Sequence, residues 1–474
     1  MSIKDQIAEL VESKKDFFNT VSDKVWETPE LGFLEFKSAA TLMSALEEQG
    51  FKVEKGLAGI ETAFKGTYGS GKPVISFLGE FDALPSLSQK AGLGTKDPVE
   101  DGAPGHGCGH NALGAGSMAA ATALKDYMEK NNLPGTVVYF GCPAEESGCG
   151  KTFMAREGVF DDVDIALTWH PGSTNSVWGI SSLANIIVLF HFRGVTSHAA
   201  ASPHLGRSAL DAAELMNVGV NFLREHVIPE ARMHYAFQDV GGGAPNVVQD
   251  RATVLYYIRA PKTEQVMEIY PRVIKCAEGA AHMTETELTV EIKTALSDYI
   301  PNDVVSQLMY DCMLELGDLQ FSDEAKAVAK TVAASFTEAD KRGAMNQLLQ
   351  YMSKEEAEKV MEEGVISTPF PYKKLPIHMP GSTDVGDVSY VVPTAQLGTC
   401  CAALGTPGHS WQQTSQGCTV LAHEGTEYAA KVMALTGAKL LDQPELIEKA
   451  KEELKATTGG VYVCPIPKDV KPQP

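Results

Sequence analysis

The chain has 474 residues, a hydrophobic fraction of 44% and a formal net charge of −21, from 40 Lys and Arg against 61 Asp and Glu. That acidic excess opposes approach to phosphate backbones and anionic membranes, so nucleic acid and membrane are excluded as expected partners. No run approaches the ~18 consecutive apolar residues of a membrane span, and nine scattered cysteines without framework spacing fit a reducing compartment, so a soluble cytoplasmic protein of two or three domains is expected.

The N-terminal stretch is charged and helix-like, with no apolar signal core. From Ile3 to Gln49 apolar and charged positions alternate at helical spacing, broken near Thr28-Pro29 and Gly32, which predicts two helices ending at Gly50. Short strands are predicted at Thr62 to Lys65 and Val74 to Gly79, the second leading into Glu80-Phe81-Asp82-Ala83-Leu84-Pro85. An apolar strand ending in acids and a proline is how open α/β sheets present functional groups. Next comes Pro104-Gly105-His106-Gly107-Cys108-Gly109-His110-Asn111. Its glycines allow a sharp turn, and Cys108 and His110, two apart, can aim sulfur and nitrogen at one centre.

Ala112 to Tyr127 reads as a small-residue helix suited to close packing on a sheet. Thr136 to Tyr139 is a buried-type strand ending in Gly141-Cys142-Pro143-Ala144-Glu145-Glu146-Ser147-Gly148. The helix Lys151 to Glu157 precedes the strand Ile165 to Thr168, which ends in Trp169-His170-Pro171. Three strands in succession thus deliver potential ligands at their C-terminal ends.

From about Asn185 the order becomes strand, helix, strand, strand, helix, strand: Ile186 to Phe192, Ser208 to Glu225, Met233 to Gln238, Ala252 to Ile258, Glu264 to Glu278 and Glu287 to Lys293. That is the ferredoxin-like βαββαβ pattern, expected as an inserted domain over residues 185–297. It would divide an α/β domain into residues 1–184 and 298–474. Within the second part, 301–364 is rich in Ala, Glu, Lys, Leu and Met at helical spacing and reads as a helical embellishment. The α/β chain resumes with Gly381-Ser382-Thr383-Asp384, the apolar run Tyr390 to Val392, and Gly405-Thr406-Pro407-Gly408-His409-Ser410. A final helix, His423 to Gly437, and a Pro/Lys-rich tail close it.

Several signatures are excluded. Gly148-Cys149-Gly150-Lys151-Thr152 resembles the end of a phosphate-binding loop, but the position of that motif's first glycine holds Glu145. His423-Glu424 lacks the second histidine of H-E-x-x-H, and neither a nucleophile elbow nor a deaminase P-C-x-x-C is present. A distributed set remains: Cys108, His110, Glu145, Glu146, His170 and His409. Such donors can hold one or two zinc-like ions, with thiolate and imidazole favouring zinc, and one carboxylate stays spare as a general base. Adjacent Glu145 and Glu146 can serve one site only if the strand before them has ended.

The phrases GEFDALP, GAPGHGCGHNALGAG, PAEESG, LTWHP, TSHAAASPHLGRSALDAAELM, GGGAPNVVQDRA and GSTDVGDVSY resemble those of the metal-dependent aminoacylase and carboxypeptidase family, in the branch of hippurate and auxin-conjugate hydrolases. The similarity runs from about Trp26 to Leu435 in matching order. It implies a zinc-peptidase-like α/β catalytic domain interrupted by a ferredoxin-like lid that forms the dimer. Cys108, His110, Glu146, His170 and His409 match the metal ligands, Glu145 the general base, and Asp82 the acid that orients a ligand histidine. Glu80 stands where other members carry a histidine, so Cys108 is expected to take over that ligand's role, and Asn111 replaces an aspartate. His198 matches a histidine that reaches a neighbouring subunit's site to stabilise an oxyanion, while Asn246 and Arg259 are candidates for holding a substrate carboxylate. The resemblance implies hydrolysis of an N-acyl amino acid, an aroyl-glutamate favoured, with zinc or manganese, by a homodimer or a heteromer with a paralogous subunit. A dipeptidase or carboxypeptidase on the same scaffold and a non-catalytic partner subunit are the alternatives. His106, His191, His204 and Cys142 are read as structural, and Cys400 and Cys401 as buried small hydrophobes.

Overall fold

The computed structural model describes residues 1–473. Three helices lead the chain, α1 (Ile3–Glu12), α2 (Lys15–Trp26) and α3 (Phe36–Glu48), where periodicity predicts two. The additional break falls at Lys14, which leaves the helical basin at φ −121° and ψ 7°. Then come β1 (Lys52–Lys55), β2 (Phe64–Ser70), β3 (Val74–Glu80), α4 (His110–Asn131), β4 (Gly135–Cys142), α5 (Gly150–Arg156), β5 (Ile165–Gly172) and β6 (Ser176–Val177). β7 (Ala184–Arg193), α6 (Ala209–Leu223), β8 (Arg232–Asp239), β9 (Arg251–Ala260), α7 (Thr263–Thr284) and β10 (Glu287–Leu296) follow. The chain ends with α8 (Asp303–Leu316), α9 (Asp323–Ala333), α10 (Glu338–Leu348), α11 (Lys354–Glu363), α12 (Val385–Val391), β11 (Thr394–Cys400), α13 (Trp411–Gln416), α14 (Val420–Asp442) and α15 (Pro444–Thr458). Tyr390 and Val391 therefore end a helix, the strand β11 follows them, and the tail carries a further helix, α15.

A seven-stranded sheet runs in the order β1-β2-β4-β3-β5-β11-β6. Its four central strands are parallel, and β1, β2 and β6 are antiparallel additions. Every residue of β4 and of β11 is buried, as expected of a parallel sheet covered on both faces. The small residues of α4 are required by close approach: a Cβ on Gly114 would lie 2.7 Å from the Glu80 carbonyl, and one on Gly116 would lie 2.6 Å from the Trp169 ring. This brings the start of α4, at His110, against the ends of β3 and β5.

A four-stranded antiparallel sheet, β10-β7-β9-β8, carries α6 and α7. Its βαββαβ order is the ferredoxin-like one predicted. β7, β9 and both helices bury Ile186, Val188, Phe190, Met216, Val254 and Val273 together, whereas the edge strand β8 exposes Tyr235 and Phe237.

The segment 301–364 folds as α8 to α11, with Ser322, Thr337 and Ser353 as N-caps. The last residues form a strap over α5. Tyr462 Oη donates to Asp387 Oδ1 at 2.9 Å, Arg156 Nη1 donates to the carbonyls of Pro467 and Val470, each at 2.9 Å, and Ile466 is buried. Asp387 also accepts from Thr152 Oγ1 of α5 at 2.6 Å and from Ser297 at the end of β10. No helix among the described residues is long and apolar enough to cross a membrane.

Candidate metal centre

Parallel strands end side by side, so whatever follows them is gathered along one edge. Glu80 is in register with Cys142, and His170 with Gly398. Asp82 lies just beyond β3, Glu145 and Glu146 beyond β4, and His170 near the end of β5, which continues to Gly172 rather than ending before the histidine. Because β4 stops at Cys142 and Ala144 adopts a positive φ of 58°, Glu145 and Glu146 sit in a turn and both face the site.

His409, itself at φ 52°, closes the set: its backbone N–H donates to the Gly107 carbonyl at 3.1 Å, tying the C-terminal loop to the metal loop. Three donor groups result, each with ligand atoms within 4.8 Å of one another: Cys108 with His110 and His170, Cys108 with Glu146 and His409, and Glu80 with His110 and Glu145. The Cys108 Sγ to His170 Nε2 distance is 3.3 Å, and Glu146 Oε1 lies 3.4 Å from His409 Nε2. Cys108 belongs to the first two of these groups.

The donor chemistry fits a divalent cation. Among the described residues, His110 Nε2 and Glu146 Oε1 are buried without a hydrogen bond of good geometry, with Glu80 Oε2 at 3.2 Å and His409 Nε2 at 3.4 Å as their ionisable neighbours, an arrangement that a bound cation would satisfy. His110 Nδ1 bonds Asp82 Oδ1 at 2.9 Å and His170 Nδ1 bonds the Pro171 carbonyl at 2.9 Å, so each ring keeps its Nε2 lone pair for the centre. Asp82 Oδ2 also accepts the Glu146 backbone N–H at 2.9 Å, fixing the turn that carries both glutamates. Burial, with His110 beside it, pulls His170 down to about 4, which keeps the imidazole in its ligating neutral form. Burial, with Glu146 beside it, pushes the Cys108 thiol up, so thiolate ligation requires the cation to displace a proton. Glu145 is pushed well above the usual carboxylate range by burial and then by Glu80, Glu146 and Asp384.

Sequence reasoning misses the groups behind these residues. Lys151 is fully buried, with Nζ 2.7 Å from Glu80 Oε1 and 2.5 Å from Asp384 Oδ1. Glu80 Oε2 lies 3.2 Å from His110 Nε2. The carboxylate standing in for a histidine is therefore held between an internal ammonium and a ligand imidazole, and Lys151 is a counter-ion rather than a phosphate-loop lysine. The G-C-G-K run directly after the glutamates was its only signal. Glu35, also buried, accepts the Ala144 N–H at 2.8 Å and Thr62 Oγ1 at 2.9 Å, bracing the strained turn. Asn111 turns away from the centre, donating to Ser22 Oγ and the Gly417 carbonyl.

The remaining candidates lie in the four-stranded unit. His198 is exposed and its Nδ1 accepts from the N–H groups of Ala200 and Ala201 at 3.2 and 3.1 Å, which leaves the ring proton on Nε2. None of its hydrogen bonds reaches the metal cluster of its own chain. Asn246 is exposed in the β8–β9 loop, its carbonyl accepting from Ala199. Arg259 extends from β9 to Ser382 Oγ at 3.3 Å, and its Nε is buried without a partner. His106 bonds the Val25 carbonyl, His191 joins Thr253 and Glu291, and Cys142, Cys400 and Cys401 are buried, all structural as expected.

Residues 77–467 match the family described as peptidase family M20/M25/M40. The chain is 46% identical to one of the subunits of p-aminobenzoyl-glutamate hydrolase of Escherichia coli (strain K12) over 472 residues, covering 99% of this chain and 98% of that one. It is 28% identical to the Xaa-Arg dipeptidase of Mus musculus, over 96% of this chain and 92% of that one. Its fold is similar to the crystal structure of the Bacillus subtilis YXEP protein, a dinuclear metal-binding peptidase from the M20 family, with a TM-score of 0.58 at 16% identity, covering 91% of this chain and 99% of that one. With a donor set along the strand ends and a family match over most of its length, the chain belongs to peptidase family M20/M25/M40 and is a metal-dependent amidohydrolase.

Proposed function

We propose that the protein hydrolyses the amide bond of an N-aroyl amino acid, with p-aminobenzoyl-glutamate as the favoured substrate. The observation that carries the reading is Glu145, a half-buried carboxylate grouped with His110 and Glu80 yet not needed by either Cys108-containing donor group. Near-complete alignment with a subunit of p-aminobenzoyl-glutamate hydrolase supports the substrate class.

Cys108, His110, Glu146, His170 and His409 would hold zinc or manganese, as one ion or two, with thiolate and imidazole favouring zinc. A bound cation supplies Lewis acidity, polarising the amide carbonyl and making water acidic enough to ionise near neutral pH. Glu145 takes that proton and delivers it to the leaving amine. Asp82 holds His110 in the ligating tautomer. Arg259, half-buried with an unpaired Nε, and Asn246 receive the carboxylate of the amino acid. His198 acts on a neighbouring chain's site, its Nε2–H aimed at the oxyanion, and closure of the four-stranded lid excludes water. The edge strand β8 is the natural seat for the neighbour, either an identical chain in a dimer or a paralogous subunit. We place this chemistry in the cytoplasm.

A dipeptidase or carboxypeptidase activity on the same scaffold is the second reading, favoured by the near full-length likeness to a Xaa-Arg dipeptidase. A non-catalytic partner subunit is opposed by the filled ligand and base positions. The test is release of glutamate from p-aminobenzoyl-glutamate by the purified chain, metal-stripped and then supplied with zinc or manganese, alongside dipeptides. Metal-dependent glutamate release supports the reading, and cleavage of dipeptides alone replaces it with the peptidase one.

A further inference from the structure

Beside the metal centre lies a cavity of about 610 Å³ whose walls include Trp178, Phe370, Tyr372, Gln347, Gln350 and Tyr351. Its size lies within the ~300–1,000 Å³ of small-molecule sites. Two independent contacts attach it to opposite sides of the centre. On one side the Trp178 indole lies near-parallel to the ligand His170, at 26° with centroids 6.1 Å apart. It lies over Gly398, the register partner of His170, where a Cβ would just touch Trp178 Nε1 at 3.4 Å. On the other side the helical segment 301–364, which supplies Gln347, Gln350 and Tyr351, supports the loop that carries His409. The Leu404 N–H donates to the Gly364 carbonyl at 2.8 Å, and Gly405, at φ 90°, packs so closely that a Cβ would lie 3.1 Å from Ala344 Cβ of α10. The cavity is thus bracketed by the elements bearing two of the ligand candidates.

Its lining is flat and aromatic. Tyr351 and Phe370 stack face to face, with centroids 4.1 Å apart and planes 11° from parallel. Phe370 is buried behind Tyr351, so Tyr351 and Trp178 are the aromatic side chains that face the space, with the Gln347 and Gln350 amides and the Lys373 ammonium as polar groups.

We propose that this cavity is the acyl pocket of the enzyme and takes a flat aromatic acyl group bearing a polar substituent, and that the helical segment 301–364 is its specificity wall. The inference rests on the amidohydrolase reading for its orientation, since the amino-acid carboxylate is assigned to the lid residues and the acyl group must leave the metal centre on the other side.

The experiment uses the metal-loaded full chain and its Tyr351→Ala and Gln347→Ala variants. The ratio of kcat/KM for benzoyl-glutamate over acetyl-glutamate should fall about tenfold in Tyr351→Ala and be largely restored by Tyr351→Phe. An unchanged ratio overturns the pocket. Binding of 4-aminobenzamide, followed by tryptophan fluorescence, is the second readout. It should saturate in the wild-type chain and weaken about tenfold in Tyr351→Ala, and binding indifferent to Tyr351 overturns the pocket even if hydrolysis is seen. Tyr351-dependent binding without hydrolysis of either amide keeps the pocket and removes the amidohydrolase reading, so the two failures are distinct.

Discussion

The two sheets treat polar and apolar side chains in opposite ways. Along the carboxyl edge of the seven-stranded sheet, Glu80, Asp82, Lys151 and Asp384 are all at most 2% exposed, and each has its partner within the chain. On the four-stranded sheet the edge strand β8 leaves Tyr235 and Phe237 at 43% and 37% exposed, and His198 is exposed, bonded only to nearby backbone through Nδ1. A buried charge without its partner costs several kcal/mol, so the first region must be complete in one chain. An open strand edge with aromatic side chains is complete only when something else lies on it. The difference teaches that the first region finds its charge partners within the single chain, while the second leaves aromatic side chains open to solvent.

Five experiments break or sharpen that contrast. The largest effect is expected from Glu145→Gln, which should lower kcat at least ~10³-fold while metal content, read by elemental analysis, stays at the wild-type level; a fully active variant removes Glu145 from its role. His198→Ala should cost ~10² in kcat, again with metal retained. Mixing it with Glu145→Gln should restore activity to about a quarter of wild type by random exchange of subunits; no recovery would confine His198 to its own chain.

Lys151→Met, which strands Glu80 and Asp384, should cost ~3–5 kcal/mol in denaturant unfolding, and adding Asp384→Asn should return part of it. Equal stability of the single variant and wild type would show the buried ion pairs to be dispensable. A smaller effect is expected at Glu35, whose pKa burial, with Asp82 nearby, raises from 4.5 to about 8. A carboxyl with a folded pKa above its unfolded one binds more protons when folded, so it makes the metal-free protein less stable as pH rises across that window. Glu35→Gln should flatten the slope by an amount on the order of 2–5 kcal/mol, and an unaltered slope would assign the pH dependence elsewhere. Least visible in stability, Phe237→Lys on β8 should leave unfolding unchanged but shift sedimentation toward monomer; an unchanged assembly would move the interface off β8.

The same contrast explains what could be read before folding. Ligand candidates were legible because they lie in short windows, at the start of α4 in GHGCGH and at strand ends in PAEES and TWHP, that carry glycine or proline beside donor atoms. Lys151 and Glu35 were not, because their meaning depends on Glu80, Asp384 and the Ala144 N–H, which only the sheet brings to them. The βαββαβ order was visible because its strands alternate, as in the buried pattern of β9. β11 escaped notice because Thr394–Cys400 is a run of small and polar residues made into a strand by burial between β5 and β6. α15 was hidden by its charge, with only Ile447 and Ala450 buried to mark an inward face.

The C-terminal strap has a consequence for biosynthesis. α5, which follows the two glutamates and carries Lys151, is clasped by Tyr462 through Asp387 and by the carbonyls of Pro467 and Val470 through Arg156. On the ribosome the metal loop and both glutamates emerge hundreds of residues before the strap, so the turn that carries the glutamates is left unfastened until the strap has been made. A chain cut after Thr458 should therefore capture metal more weakly than the full one, measurable by competition with a chelator. Equal retention would mean that the nascent protein can be metallated before it is finished.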